Sequence, residues 1–346
     1  MTPAIVAGMS ALVALVISLG VGLRARWLGT TLELLDYPDT DGGRKRHAGV
    51  TPLVGGIALT ASCVAACAIS QWLLPMGPWM SQHLAWLGAA LLAMYLIGFA
   101  DDRFALGPII RLVLTIATLG VVLGYAPDFS LGFLRFAGQD SVWTMGVGGD
   151  AFALLCLVGL LNAVNMADGK NGIVLGMGLI WTLSLAARLP AAFVPVLAAA
   201  GVALAVMFAF NMRGKLFMGD GGSYALSALF GLLAILAYNS DFATMRADDV
   251  AVLFAIPVFD TVRLMVMRKL NGRSPFEGDR DHLHHHLHAY FTWPRGLWLY
   301  LALVAVPNAG AVLLPGTGLI WLGISAVAYA ATLALTRLPA LPSPAT

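Results

Sequence analysis

Residues 223–239, SYALSALFGLLAILAYN, carry no charged side chain, and stretches like this recur along the whole chain. A hydrocarbon core about 30 Å thick calls for roughly 20 apolar residues per spanning helix. Scanned for such runs, the chain gives eleven expected spans, near 4–23, 53–74, 84–100, 109–126, 151–167, 172–188, 191–211, 223–239, 250–268, 296–315 and 317–337. Composition points the same way. The chain is 59% hydrophobic and 11% charged, where a soluble domain runs about a quarter charged. The expectation is an all-α polytopic membrane protein, one integral domain over 1–337 followed by a disordered tail at 338–346. Residues 127–150, with Gly and Asp punctuation and alternating Phe, Leu and Trp, read as a small hairpin at the outer surface. No basic segment precedes the first run and no small-residue cleavage site follows it, so no cleavable signal peptide is expected. Cys63, Cys67 and Cys156 all fall inside spans and read as buried apolar residues, not as a disulfide framework or a metal set.

Charge distribution adds an orientation. With the amino terminus outside, seventeen of the twenty Lys and Arg residues fall on the cytoplasmic side, and only Arg135, Arg188 and Arg246 fall opposite. This positive-inside bias puts the carboxyl terminus in the cytoplasm and supports an odd number of spans. The polar clusters share that side, so chemistry is expected at the cytoplasmic membrane surface.

There are five clusters. RKRHAGVTPLVGG at 44–56 is either a positive-inside signal before a helix start or a phosphate patch; its glycine pair permits close approach of backbone or ligand. In GFADDRFALGP at 98–108, Asp101 and Asp102 end an apolar run. Carboxylates there oppose the helix dipole and are costly unless they meet water, a cation or a partner. In LLNAVNMADGKNGI at 160–173, Asn162, Asn165 and Asp168 are three apart and are expected on one helical face; interhelical amide bonds are the structural explanation. KLFMGDGGSYALS at 215–227 sets Asp220 among glycines just before a helix. Most such triplets are turns, but glycine-rich helix starts also bind anions, and carboxylate oxygen suits magnesium. Last, DRDHLHHHLHAY at 279–290 holds five of the seven histidines. Carboxylates with a divalent cation, together with fixed cations and imidazole, are the recurring parts of phosphoryl transfer.

In this order and spacing, over roughly residues 30–290, these motifs resemble the polyprenyl-phosphate N-acetylhexosamine-1-phosphate transferases. The wording TPLVGG and DRDHLHH is nearer the undecaprenyl-phosphate N-acetylglucosamine-1-phosphate branch than the muramyl-pentapeptide branch. The resemblance implies that undecaprenyl phosphate attacks a UDP-sugar, releasing UMP and leaving a sugar-diphospho-lipid in the bacterial inner membrane. This would be the first membrane step of a cell-envelope polysaccharide. It implies magnesium, or manganese in its place, as cofactor. It implies UDP-sugar, undecaprenyl phosphate and membrane lipid as partners, allows a homodimer, and gives no role to nucleic acid.

Carried over by position, the resemblance implies catalytic roles for Asp101, Asp102, Asp168 and His282, and magnesium at Asp220. It places Lys45, His47, Asn162, Asn165, Asn171, Arg111, Arg280, His284 and His285 against the substrates. Two departures bear on the sugar. Many relatives read DGIDGL where this chain reads DGKNGI, so Asn171 stands for an aspartate and Lys170 is an added cation. Ala105 and Ile109 replace an acid and a lysine, and Arg111 is expected to supply the missing charge. Another UDP-N-acetylhexosamine is therefore the alternative donor. A transporter is the alternative of another class, but the acidic residues lie at span ends rather than midplane. A zinc enzyme built on the i,i+4 histidines lacks a recognisable signature. His286 and His288 match no motif and read as solvated surface.

Overall fold

In lipid a backbone must satisfy its own hydrogen bonds, and the apolar runs do so as helices. The computed structural model describes residues 1–38, 49–139, 141–240, 245–274 and 281–337. Lys45, His47, Arg280 and the expected tail lie outside these described residues. Helices α1 (Pro3–Leu23) and α2 (Ala25–Thr31) lead to strand β1 (Leu35–Asp36), which pairs antiparallel with β2 (Thr51–Pro52). Then follow α3 (Gly55–Leu73), α4 (Pro78–Phe104) and α5 (Pro108–Tyr125). Strands β3 (Phe133–Leu134) and β4 (Trp143–Thr144) pair antiparallel in the next connection. The rest is helical: α6 (Gly149–Ala167), α7 (Ile173–Ala186), α8 (Val194–Asn211), α9 (Gly219–Ser240), α10 (Ala247–Leu270), α11 (Leu283–Tyr290), α12 (Arg295–Leu313) and α13 (Gly318–Arg337).

Among the described residues, ten helices are long and apolar enough to cross a membrane. The expected span 172–188 corresponds to α7, which has 14 residues and reaches about 21 Å at 1.5 Å per residue, short of a full bilayer core. The expected span 84–100 became α4, 27 residues long. Its last turn holds Asp101, Asp102 and Arg103 in helical form.

Helix α9 is the hub. Every residue from Gly221 to Tyr238 is buried, behind α3, α4, α6, α7 and α10. Its composition does not distinguish it from the lipid-facing helices; its glycines do. A Cβ at Gly56 of α3 would overlap the Gly222 backbone, and one at Gly98 of α4 would overlap the Asp220 carbonyl. Absent side chains let three backbones meet where α9 begins. The stretch before α3 docks there too: Gly55 and Gly56 donate to the carbonyls of Phe217 (2.9 Å) and Met218 (3.0 Å), and Phe217 donates to Pro52 (2.8 Å). Close backbone packing accounts for the glycine pair at 55–56.

Pro257 sits inside α10 and has no N–H to offer the Leu253 carbonyl one turn back. The Trp181 indole of α7 donates to that carbonyl at 2.7 Å. Of the three cysteines, Cys63 and Cys67 are buried as expected, but Cys156 is exposed. It lies on the outward face of α6.

Candidate functional site

Two polar groups meet at one end of the bundle, built on the ends of α4 and α6, the starts of α5 and α9, and the segment around α11. The first is acidic. Asp102 accepts the backbone N–H groups of Asp220 (3.0 Å) and Gly221 (3.1 Å). A carboxylate that is unfavourable at the end of its own helix therefore caps the positive start of another. The approach to that cap turns at Gly219, whose φ of +74° suits glycine; a Cβ there would also sit 2.7 Å from Asp102 Oδ2. Asp220, at the first turn of α9, accepts from Asn165 Nδ2 at 2.7 Å, and the same amide reaches Ser223 Oγ at 3.2 Å.

Asp101 is buried and accepts from Arg111 Nη1 at 2.6 Å. That nitrogen also lies 3.9 Å from Asp220 Oδ2, so it faces both carboxyls. Like charges at that range repel unless a proton or cation lies between them. Tyr224 meets the same guanidinium. Asp168 closes the group as the residue after α6. Burial first, then the charge of Asp102, push its carboxyl up to about 7. Of these four carboxylates, Asp101 and Asp220 face the Arg111 guanidinium. Asp220 and Asp101 present hard oxygens side by side. Among the described residues no group of three or more His, Cys, Asp or Glu is arranged to hold a metal unaided; magnesium characteristically takes one or two carboxylates and completes its shell with phosphate and water.

The second group is imidazole. The ring centroids of His282 and His284 are 5.3 Å apart, and those of His284 and His285 are 4.2 Å apart. His284 is buried against Gly169, where a Cβ would overlap its Nε2, and that nitrogen has no hydrogen-bond partner. Burial, then the neighbouring His285 and His282, hold its imidazole well below the usual range, so it is neutral at ordinary pH. The charge of Lys170 reaches His284 and His288. The Trp293 indole donates to the Asn171 carbonyl at 3.1 Å and ties this segment to the α6–α7 turn. Asn211 holds that turn from the other side, accepting from Gly172 N (2.7 Å) and donating to the Leu216 carbonyl (2.9 Å).

Asp101, Asp102, Arg111, Asn165, Asp168 and Asp220 thus come together, and His282, His284 and His285 gather beside the turn that carries Asp168. Asn162 does not join them. It is exposed and donates to its own helix at Val158 O, 2.8 Å away. At about 100° per residue, a spacing of three drifts by about 60° per step, so residues 162 and 168 lie about a third of a turn apart. Asn171 contributes its carbonyl. His286 is not idle surface: its Nε2 lies 2.6 Å from Asp281 Oδ1. His288 packs edge-on against Trp293, centroids 5.9 Å apart. His282 and His286 turn to different carboxylates, so the i,i+4 spacing brings them to no shared point. Sequence reasoning passed over Asn211, Tyr224 and Asp281; Asn211, a polar residue in the last turn of an apolar helix, was the one with a readable signal.

Comparison with known proteins fits this geometry. The profile of Glycosyl transferase family 4 matches residues 84–238. The chain is 30% identical over 298 residues to the undecaprenyl-phosphate alpha-N-acetylglucosaminyl 1-phosphate transferase of Salmonella typhi, covering 83% of this chain and 77% of that protein. It is 30% identical over 275 residues to the Escherichia coli K12 protein of the same name, covering 75% and 71%. It is 25% identical over 294 residues to the probable undecaprenyl-phosphate N-acetylglucosaminyl 1-phosphate transferase of Bacillus subtilis, covering 83% and 79%. A polytopic bundle with this polar end is a membrane-embedded transferase. The chain belongs to glycosyl transferase family 4.

Proposed function

We propose that the protein transfers a sugar 1-phosphate, N-acetylglucosamine 1-phosphate, from its UDP-sugar to undecaprenyl phosphate, giving sugar-diphospho-undecaprenol and UMP. The supporting observation is the gathering of Asp101, Asp102, Asp168 and Asp220 at one end of an apolar bundle, with Arg111 between Asp101 and Asp220. Such an excess of carboxylate is held together by a divalent cation and phosphate ligands. The names of the relatives support the lipid and the sugar. The charge bias supports placing this end at the cytoplasmic face of a bacterial inner membrane.

Asp220 would hold magnesium, with Asp101 beside it; the cation supplies positive charge to the donor diphosphate. Asp102 spends both oxygens on the start of α9 and so fixes where Asp220 stands. Asp101 and Asp168 are the carboxylates proposed to act on the acceptor phosphate. Asn165 orients Asp220. Arg111 neutralises charge as two phosphates approach, and His282 and His285 face the diphosphate from the other side. Lys170, which acts on His284 and His288, favours a second reading in which the donor is a different UDP-N-acetylhexosamine.

Purified protein in lipid nanodiscs with undecaprenyl phosphate and a panel of UDP-sugars tests this by UMP release. Transfer should be fastest with UDP-N-acetylglucosamine, stop on adding EDTA and return with magnesium. Asp101→Asn should lose about 1,000-fold in turnover. Chelator-insensitive transfer, or near-wild-type turnover in Asp101→Asn, would overturn the proposal.

A further inference from the structure

Asp260 lies in α10, well inside the expected span, yet it is among the best-satisfied carboxylates in the chain. It is 4% exposed. Its Oδ1 accepts from Tyr329 Oη (2.8 Å), Arg263 Nη2 (3.1 Å) and Leu283 N (3.2 Å). Its Oδ2 lies 3.0 Å from His282 Nδ1 and 3.2 Å from Leu283 N. A carboxylate taking this many donors is an acceptor only, so Nδ1 of His282 carries the proton and Nε2 is the nitrogen left for a ligand. Leu283 is the first residue of α11 and His282 its N-cap, so Asp260 also fixes where that helix starts.

Tyr329 belongs to the last helix, α13. Its hydroxyl donates to Asp260 and accepts from Arg263 Nε at 2.8 Å. Arg263 continues to Asp281 Oδ2 at 2.7 Å, and Arg337, the last residue of α13, reaches both oxygens of Asp281 at 3.0 and 2.9 Å. The network therefore runs from α13 through α10 to the residues on either side of the His282 backbone. The family profile ends at residue 238, before any of these groups.

We infer that Asp260 is a positioning residue for His282, setting its tautomer and the start of α11, and that Tyr329 of α13 locks Asp260 in place. The kinetic part rests on the proposal that His282 faces the donor diphosphate. Asp260→Asn keeps the shape and removes the charge. It should lower kcat/KM for the UDP-sugar about 100-fold, with KM for the lipid phosphate unchanged. Tyr329→Phe removes one hydroxyl and should lower the same ratio about fivefold. Neither substitution should worsen His282→Gln, because both act through that ring.

Hydrogen exchange across residues 283–290 in nanodiscs gives a readout independent of turnover. Both single variants should exchange faster there than wild type, with the rest of the bundle unchanged. Effects that add in full to His282→Gln, an equal change in both KM values, or unaltered exchange in the folded Tyr329→Phe protein would each overturn the inference. If the wild type transfers nothing from any UDP-sugar, the proposed function fails, and the exchange experiment still decides whether Asp260 and Tyr329 hold the segment.

Discussion

Both ends of the bundle bury charge, and they do so in opposite ways. At the end away from the site, Arg188 donates to the Ala311 carbonyl at 3.0 Å and lies 3.9 Å from Asp249. Asp248 accepts from Ala137 N at 2.9 Å, and Arg246 donates to the Phe136 carbonyl at 3.1 Å. Each of these charges meets backbone or an opposite charge, and together they staple connecting segments to the helices. In the acidic group at the site end, Asp101 and Asp220 share one guanidinium and face one another. Matched charge bound to backbone is what stability asks of a buried ion. An unmatched cluster is maintained against its own repulsion and points to a ligand.

Two glycines break this comparison most sharply. A Cβ at Gly98 would overlap the Asp220 carbonyl, and one at Gly318 would overlap the Asp248 carboxylate. Each alanine variant should lose about 1–3 kcal/mol of stability, seen as a lower thermal midpoint in detergent. Only Gly98→Ala should lose turnover per folded molecule, by about 100-fold, because it moves Asp220. Equal turnover losses at both positions would erase the distinction between the ends.

Two tryptophans sharpen it at smaller scale. Trp293 donates to Asn171 beside the site, and Trp181 donates to the carbonyl freed by Pro257 in the core. Trp293→Phe should raise KM for the UDP-sugar severalfold, about the worth of one hydrogen bond, with kcat held. Trp181→Phe should lower the thermal midpoint and leave both kinetic constants alone. The smallest effect is on acid stability. Burial raises the Asp281 carboxyl, but bonds from Arg263, His286 and Arg337 prevail and hold it at about 2, below the value of about 3.9 for an unfolded chain. Its contribution is therefore present above pH about 4 and is lost as pH falls toward 2. Asp281→Asn should flatten the fall of the thermal midpoint in that window.

Much of the site end was readable because polar residues at the ends of apolar runs are conspicuous. Asp101, Asp102, Asn165, Asp168 and Asp220 stand out for that reason, and their convergence follows from their shared side. What each one does was not readable. Asp102 meets its partners 118 residues later, so no local pattern shows that it caps α9. Asp260 is visible as a charge in an apolar helix, but its partners lie at residues 282 and 329. Asn162 misled because a spacing of three imitates a shared face over one step and drifts off it over two. Hydropathy also shows the apolar run of α7 but not that its helix has only 14 residues.

The central claim is that carboxylates crowded against one another mark the transfer site and those bound to backbone mark scaffold. Turnover per folded molecule, measured as UMP released from UDP-N-acetylglucosamine in undecaprenyl-phosphate nanodiscs, tests it in two variants side by side. Asp220→Asn should release no UMP above background, while Asp248→Asn, a buried carboxylate at the other end, should match wild type. Turnover retained in Asp220→Asn, or lost in folded Asp248→Asn, would contradict the account.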